Sequence, residues 1–354
     1  MKNLQHKYAL HKKALFYLSS VLMILFIAGC NKVPDLPAAK ITTIASGLQA
    51  PMGIETDWKG NIWIAEMGTA NNDGKVVVVV PGASGSGKEA TMTYDAIINL
   101  SSILNALSGE VEGPAHLLFD NGKLYILAAD FLYTADVSSF KPGDAPIDAT
   151  TLPREDIGTW VRSQNIVTPN DSHPYNFMKG PDGKLYITDA GANAIIKRTS
   201  VGNYNVFAQF PDLPNPTSVG PPFIQNVPTG IIFNGSNFLV STLTGFPFLK
   251  GEAIIYRVSL SGNVSVYKKG LTTLTGIAPG NFYGPAVLHF GSFGATGFDP
   301  NTGSLLLTNG LTTQVVVDGL NMPAGIKQTN HQSWYVTSLG DGTLLEISYS
   351  GGNN

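Results

Sequence analysis

The chain has 354 residues, with 39 Gly, 22 Pro, one Cys, 13% charged side chains and a formal net charge of −3. So few charges beside 43% hydrophobic residues exclude a disordered chain and supply a large core, and without a basic excess the chain has no means of neutralising phosphates, which argues against nucleic acid as a partner. Glycine without a triplet period excludes collagen and points to many tight turns.

Residues 2 to 13 carry Lys2, Lys7, Lys12 and Lys13 and no acid, and an apolar run follows from Ala14 to Ile27. That layout predicts a secretory signal peptide over residues 1–29. The run falls short of the roughly 20 residues that span a bilayer. Ile27-Ala28-Gly29-Cys30 is similar to a bacterial lipobox, so Cys30 is expected to be lipidated after cleavage before it and to hold the protein to a membrane. Residues 30–40, with Pro34 and Pro37, read as a tether. Taking the four leader lysines from the 22 basic residues leaves 18 against 25 acids, so the mature chain is near −7. With its one cysteine consumed by lipid it has no disulfide and no thiolate nucleophile. The expected place is the periplasmic side of an outer membrane or the cell surface.

Residues 41–350 repeat one phrase: an opening Pro or Gly, an apolar strand, an Asn-Gly or Asp-Gly turn, and an aromatic strand ending in a small or acidic residue. Pro51-Met52-Gly53-Ile54 with Ile62-Trp63-Ile64-Ala65-Glu66 is the first copy, and Pro114-Ala115-His116-Leu117 with Leu124-Tyr125-Ile126-Leu127 the second. Pro174-Tyr175-Asn176-Phe177 with Leu185-Tyr186-Ile187-Thr188-Asp189 is the third; Pro228-Thr229-Gly230-Ile231 opens the fourth and Pro323-Ala324-Gly325-Ile326 the last. The opening prolines are 63, 60, 54 and then 95 residues apart, so one copy is hidden between Thr275-Gly276-Ile277 and Asn309, with Gly297-Phe298-Asp299 and Leu305-Leu306-Leu307-Thr308 as its strands. Such units cannot bury both faces alone. Six copies predict an all-β, six-bladed β-propeller of four-stranded antiparallel blades in a single, monomeric domain, with an antiparallel sandwich as the competing architecture.

Asp171-Ser172-His173-Pro174-Tyr175, Asp189-Ala190-Gly191-Ala192-Asn193, Val227-Pro228-Thr229-Gly230 and Leu243-Thr244-Gly245-Phe246-Pro247-Phe248 resemble the ScyD/ScyE family of exported proteins, relatives of the NHL-repeat propellers. The resemblance implies a six-bladed propeller without an established enzymatic activity, and it carries over no catalytic residues. His173 and Asn176 depart from the family pattern, where Asn and Gly are common.

Gly82-Ala83-Ser84-Gly85-Ser86-Gly87-Lys88 has the glycines and lysine of a phosphate-binding loop, but Glu89 stands where a magnesium-binding hydroxyl belongs, and the segment reads better as an inter-strand loop. A stronger constellation flanks the opening prolines. Glu112, Asn226 and Asn321 lie two residues before them, His116 and Asn176 two residues after, and in a propeller these gather at one mouth of the central channel. The ring could hold a small polar ligand or a divalent cation such as Ca²⁺, whose preferred donors are oxygens, or its members could simply satisfy one another. Glu112-Gly113-Pro114 is similar to the acidic opening of the SMP-30/gluconolactonase-like propellers, which makes Glu112 the candidate metal ligand and a metal-dependent lactonase, hydrolase or lyase the alternative to a binding scaffold for a protein or small ligand. Two long loops, Ser138 to Asn170 and the proline-rich Pro211 to Gln225, are expected to wall a recognition surface on one face.

Overall fold

The computed structural model describes residues 36–82, 91–281 and 283–349. Cys30, the leader, and most of the loop with phosphate-binding character lie outside them. Among the described residues the long strands form six sheets around a common axis. Blade 1 is Pro51–Thr56, Ile62–Glu66, Gly74–Val80 and Met92–Leu100; blade 2 is Pro114–Asp120, Lys123–Ala128, Phe131–Asp136 and Arg154–Asp156. Blade 3 is Pro174–Lys179, Leu185–Asp189, Ala194–Ser200 and Asn203–Gln209; blade 4 is Pro228–Phe233, Phe238–Thr242, Ala253–Val258 and Val264–Leu271. Blade 5 is Leu274–Asn281, Gly284–His289, Gly303–Thr308 and Thr313–Leu320. Blade 6 joins Pro323–Asn330, Ser333–Ser338 and Thr343–Ser348 to Lys40–Ser46 from the other end of the chain, with Lys40 opposite Ser348. The fold is a six-bladed β-propeller.

Each opening proline begins an innermost strand, where its missing N–H costs no ladder bond at the first position. Second strands such as Ile62–Glu66, Leu185–Asp189 and Phe238–Thr242 are buried at every residue, because blades press on both of their faces. Outermost strands such as Val264–Leu271 are largely solvated. The turns follow their chemistry: Asn121 and Gly122 link paired Asp120 and Lys123 with φ of 51° and 79°, the left-handed pair that a two-residue hairpin requires.

The core is distributed between consecutive blades. Trp63, Val76 and Val78 of blade 1 meet Leu117, Leu124 and Tyr133 of blade 2, and Tyr186 and Ile195 of blade 3 meet Ile231, Phe238 and Tyr256 of blade 4. Trp334 of blade 6 is fully buried and donates its Nε1–H to the Pro279 carbonyl of blade 5 at 3.1 Å. The six innermost strands touch in circular order, blade 6 meeting blade 1. Side chains fasten each blade to the next around the axis: Thr337 donates to Met52 O at 2.6 Å, His116 to Tyr175 O at 2.8 Å, Thr188 to Thr229 O at 2.5 Å, Thr229 to Leu274 O at 2.8 Å and Thr275 to Pro323 O at 2.8 Å.

Two sequence expectations need revision. Gly297-Phe298-Asp299 does not supply a blade strand: Gly297–Phe298 pairs with Phe293–Gly294 in a small ribbon, and blade 5 takes its second strand from Gly284–His289. The segment from Ser138 to Asn170 is only partly an insertion. Its Arg154–Asp156 is the outer strand of blade 2, Ile147–Asp148 adds in parallel to blade 1, and Ile157–Ser163 is a helix. A three-residue polar strand has no apolar alternation to announce it.

Candidate functional site

The acidic residue that ends some second strands holds a blade opening in place. Asp189 accepts from Ser172 Oγ at 2.7 Å, His173 N at 2.7 Å and Ala192 N at 2.9 Å, and burial pushes its carboxyl above the ordinary value against those three bonds. Glu66 of blade 1 accepts likewise from Gln49 N at 2.9 Å.

The five predicted ring residues each have partners of their own. Glu112 is buried, which raises its pKa, while the neighbouring His173 and the hydrogen bond from Asn105 oppose the rise. Its Oε1 accepts from Asn105 Nδ2 and lies 3.6 Å from His173 Nδ1. His116 is buried against the Tyr175 ring, with its Nδ1 at 2.8 Å from the Tyr175 carbonyl, and burial drives its imidazole down to about 4. Asn176 accepts from Phe177 N at 2.7 Å and donates its backbone N–H to Thr188 Oγ1. Asn226 donates to Pro211 O and, at 2.9 Å, to Tyr256 Oη; Asn321 donates to Asp341 Oδ1 at 2.7 Å. His289 sits with Nδ1 at 3.3 Å from Ser304 Oγ, its pKa lowered by burial. Among the described residues no group of three or more His, Cys, Asp or Glu side chains is gathered to hold a metal ion. Glu112, the candidate metal ligand, therefore has no second carboxylate and imidazole gathered with it among these residues, and its Oε1 is taken up by Asn105.

What the structure does assemble is a cleft of about 960 Å³, walled by the end of the first long loop and by the proline-rich loop, as the sequence suggested. Its floor is Gly191-Ala192-Asn193 at the turn of blade 3, and Gly245-Phe246 and the Leu107-Ser108 turn complete the rim. The walls are built features. Asn215, to which sequence reasoning gave no role, is the hub of the proline-rich loop: its Nδ2 donates to Val219 O at 2.7 Å and Pro221 O at 2.8 Å, and its Oδ1 accepts from Thr217 N at 3.0 Å. Its position between Pro214 and Pro216 is the one available signal, because Asn bonds nearby backbone in turns. Backbone bonds from Leu243, Thr244 and Gly245 to the carbonyls of Val227, Asn226 and Gln225 stitch the opposite rim, each at 2.9 Å. Arg162 on the helix Ile157–Ser163 grips Asp130 through two bonds of 2.9 and 2.7 Å and so fixes the start of the first wall.

Two of the ring residues serve this cleft indirectly. Glu112 holds Asn105, whose Oδ1 accepts from Leu107 N at 2.7 Å and Ser108 N at 3.1 Å and thereby shapes the rim turn. Asn226 ties Pro211 to Tyr256 at the base of the proline-rich loop. Val227 and Thr244, both β-branched, have φ of 56° and 73° here, a strained region for such residues. Ala50 and Met322 precede opening prolines with φ of 47° and 50°, so the strain at Val227 belongs to the blade architecture; that at Thr244 is particular to this rim.

No family model matches the chain, and no curated protein matches it. Among solved structures it is similar to the PQQ-bound form of an aldose sugar dehydrogenase from Streptomyces coelicolor, with a TM-score of 0.57 and 12% identity over 89% of this chain and 100% of that one. It is similar to a streptogramin B lyase, with a TM-score of 0.51 and 16% identity over 88% and 98% of the two chains. A luciferin-regenerating enzyme gives 0.51 and 8% over 89% and 96%. At such identities the likeness concerns the fold alone, and that fold is the six-bladed β-propeller.

Proposed function

We propose that the protein is an exported, lipid-anchored propeller of the ScyD/ScyE kind that binds a small ligand in the blade 3 cleft and works as a monomeric binding scaffold at the bacterial cell envelope. The observation that carries this reading is the cleft itself. It has the size of a small-molecule site and combines an apolar lining with a few fixed polar groups. Its long loops are held by dedicated side chains, Asn215, Asn105 and Arg162, which is how a recognition surface is kept in one shape. The metal-dependent lactonase or lyase reading draws less support, because Glu112 is engaged by Asn105 and His173 faces the same oxygen. A polycarboxylate quinone cofactor does not suit a lining without basic side chains.

Gly245 provides the test. A Cβ there would find its nearest atom, Gln225 N, at an ordinary 3.5 Å, so the backbone accepts a side chain at this lining position and Gly245→Trp is chosen to add bulk to the cleft. A thermal-shift screen of a small-molecule library should give hits on the wild-type chain that the variant loses. Hits retained equally by the variant would place binding elsewhere and refute the reading. Mass spectrometry of the mature N-terminus tests the anchor, where an unmodified Cys30 or an uncleaved leader refutes lipidation. Elemental analysis with a Ca²⁺ thermal shift addresses the alternative: a bound metal and a stabilising shift would favour the lactonase reading.

A further inference from the structure

We infer that the cleft takes a cationic amine on an apolar body. This rests on the reading of the cleft as the binding site and specifies its ligand.

The lining carries two carboxylates, Asp171 on the first wall and Asp212 at the base of the second, and no Lys, Arg or His. Arg162, which interacts with the charge of Asp171, is already occupied by two bonds to Asp130. His173 stands beside Glu112. Asp212 accepts from Asn193 Nδ2 at 3.3 Å and Asp171 from Ser172 N at 2.8 Å, so both carboxylates are positioned and an anion among the lining residues is repelled by them. Next in the chain to the lining residues Gln225 and Gly245, Asn226 Oδ1 and Thr244 Oγ1 are fully buried without a hydrogen-bond partner among the described residues.

The apolar half is equally specific. Phe223 and Phe246 both line the cleft and are 62% and 49% exposed. Phe246 is braced edge-on by Phe248 and Phe293, with ring centroids 6.3 and 6.0 Å away. Exposed rings beside carboxylates suit a cation, which is attracted by both the ring faces and the charges. A neutral sugar can donate its hydroxyls to the two carboxylates but lacks the charge attraction that a cation gains from them, and an organic acid is repelled by them.

Calorimetry of the full-length protein with a matched trio of probes, 2-phenylethylamine, 2-phenylethanol and 3-phenylpropanoate, tests this. The amine should bind at least tenfold more tightly than the alcohol, its affinity should fall with added salt, and the acid should not bind. Asp171→Asn and Asp212→Asn keep the shape and the accepting oxygen; each should reduce the preference for the amine severalfold with an unchanged melting temperature. Equal or tighter binding of the alcohol or the acid would overturn the assignment, as would a preference unaffected by both variants or no binding of any probe. The Gly245→Trp screen decides separately whether the cleft binds anything, so a wrong ligand class and a wrong site give different results.

Discussion

Blades 4, 5, 6 and 1 close on the axis differently from blades 2 and 3. In the first group the third residue of the innermost strand is glycine, and the next strand occupies the space a side chain would need. A Cβ on Gly53 would lie 2.6 Å from Ala115 O, on Gly230 2.6 Å from Ile277 N and on Gly325 2.2 Å from Met52 O, while on Gly276 it would meet the Ile326 side chain at 3.0 Å. In the second group the position holds His116 or Asn176, and the His116 side chain itself spans to the next blade. The two blades that relinquish the glycine are joined by the first long loop, one of the walls of the cleft; blade 4, which supplies Gly245 and Phe246 to the rim, keeps it. Departure from the glycine rule is thus confined to two consecutive repeats.

The comparison breaks most readily at Gly325. Gly325→Ala drives a methyl to within 2.2 Å of the Met52 carbonyl oxygen, so backbone must shift, and should cost about 2–3 kcal/mol in urea unfolding. A tolerated alanine would mean that the axis is not backbone-limited. The side-chain route is tested by acid. Above pH 6.5 the His116 imidazole is neutral folded and unfolded; below it the unfolded chain takes up the proton first, so stability falls until the buried ring protonates at about 4. The full shift corresponds to about 3 kcal/mol, and His116→Gln should flatten that part of the profile between pH 7 and 4.5. Thr337→Val removes the bonds to Met52 O and Gly325 N and leaves both buried groups unpaired, for a loss of about 2 kcal/mol at neutral pH. At the small end, Asn215→Ala should change global stability by less than about 0.5 kcal/mol. It should nevertheless raise hydrogen exchange across the proline-rich loop and weaken any cleft ligand, which separates the cleft face from the axis.

The sequence carried the blade count because every blade but the fifth announces itself with an opening proline. Blade 5 begins at Leu274 and its second strand at Gly284, so both lack the usual punctuation, whereas the nearby Gly297-Phe298 mimics it without supplying a blade strand. The cleft was legible as two loops and no further. Proline content marked its wall and the place of Asn215 within it, whereas Asn105 acts through the backbone N–H groups of Leu107 and Ser108 and Arg162 through a partner 32 residues away in sequence, which no motif in the sequence records. The ring positions were legible as a register, but register does not say whether a polar side chain turns to a ligand or to the neighbouring main chain.

The strand Lys40–Ser46 completes a sheet whose other three strands are the last to be made, and the Thr337–Met52 clasp bridges 285 residues. Blades 2 to 5 are each built from contiguous chain and can assemble in turn; the sixth must wait for both ends. The join that closes the ring is therefore long-range, with a large loop-closure entropy, and without it the Thr343–Ser348 edge is unpaired. A free peptide with the sequence of residues 40–46 would compete for that edge during refolding and trap an open ring.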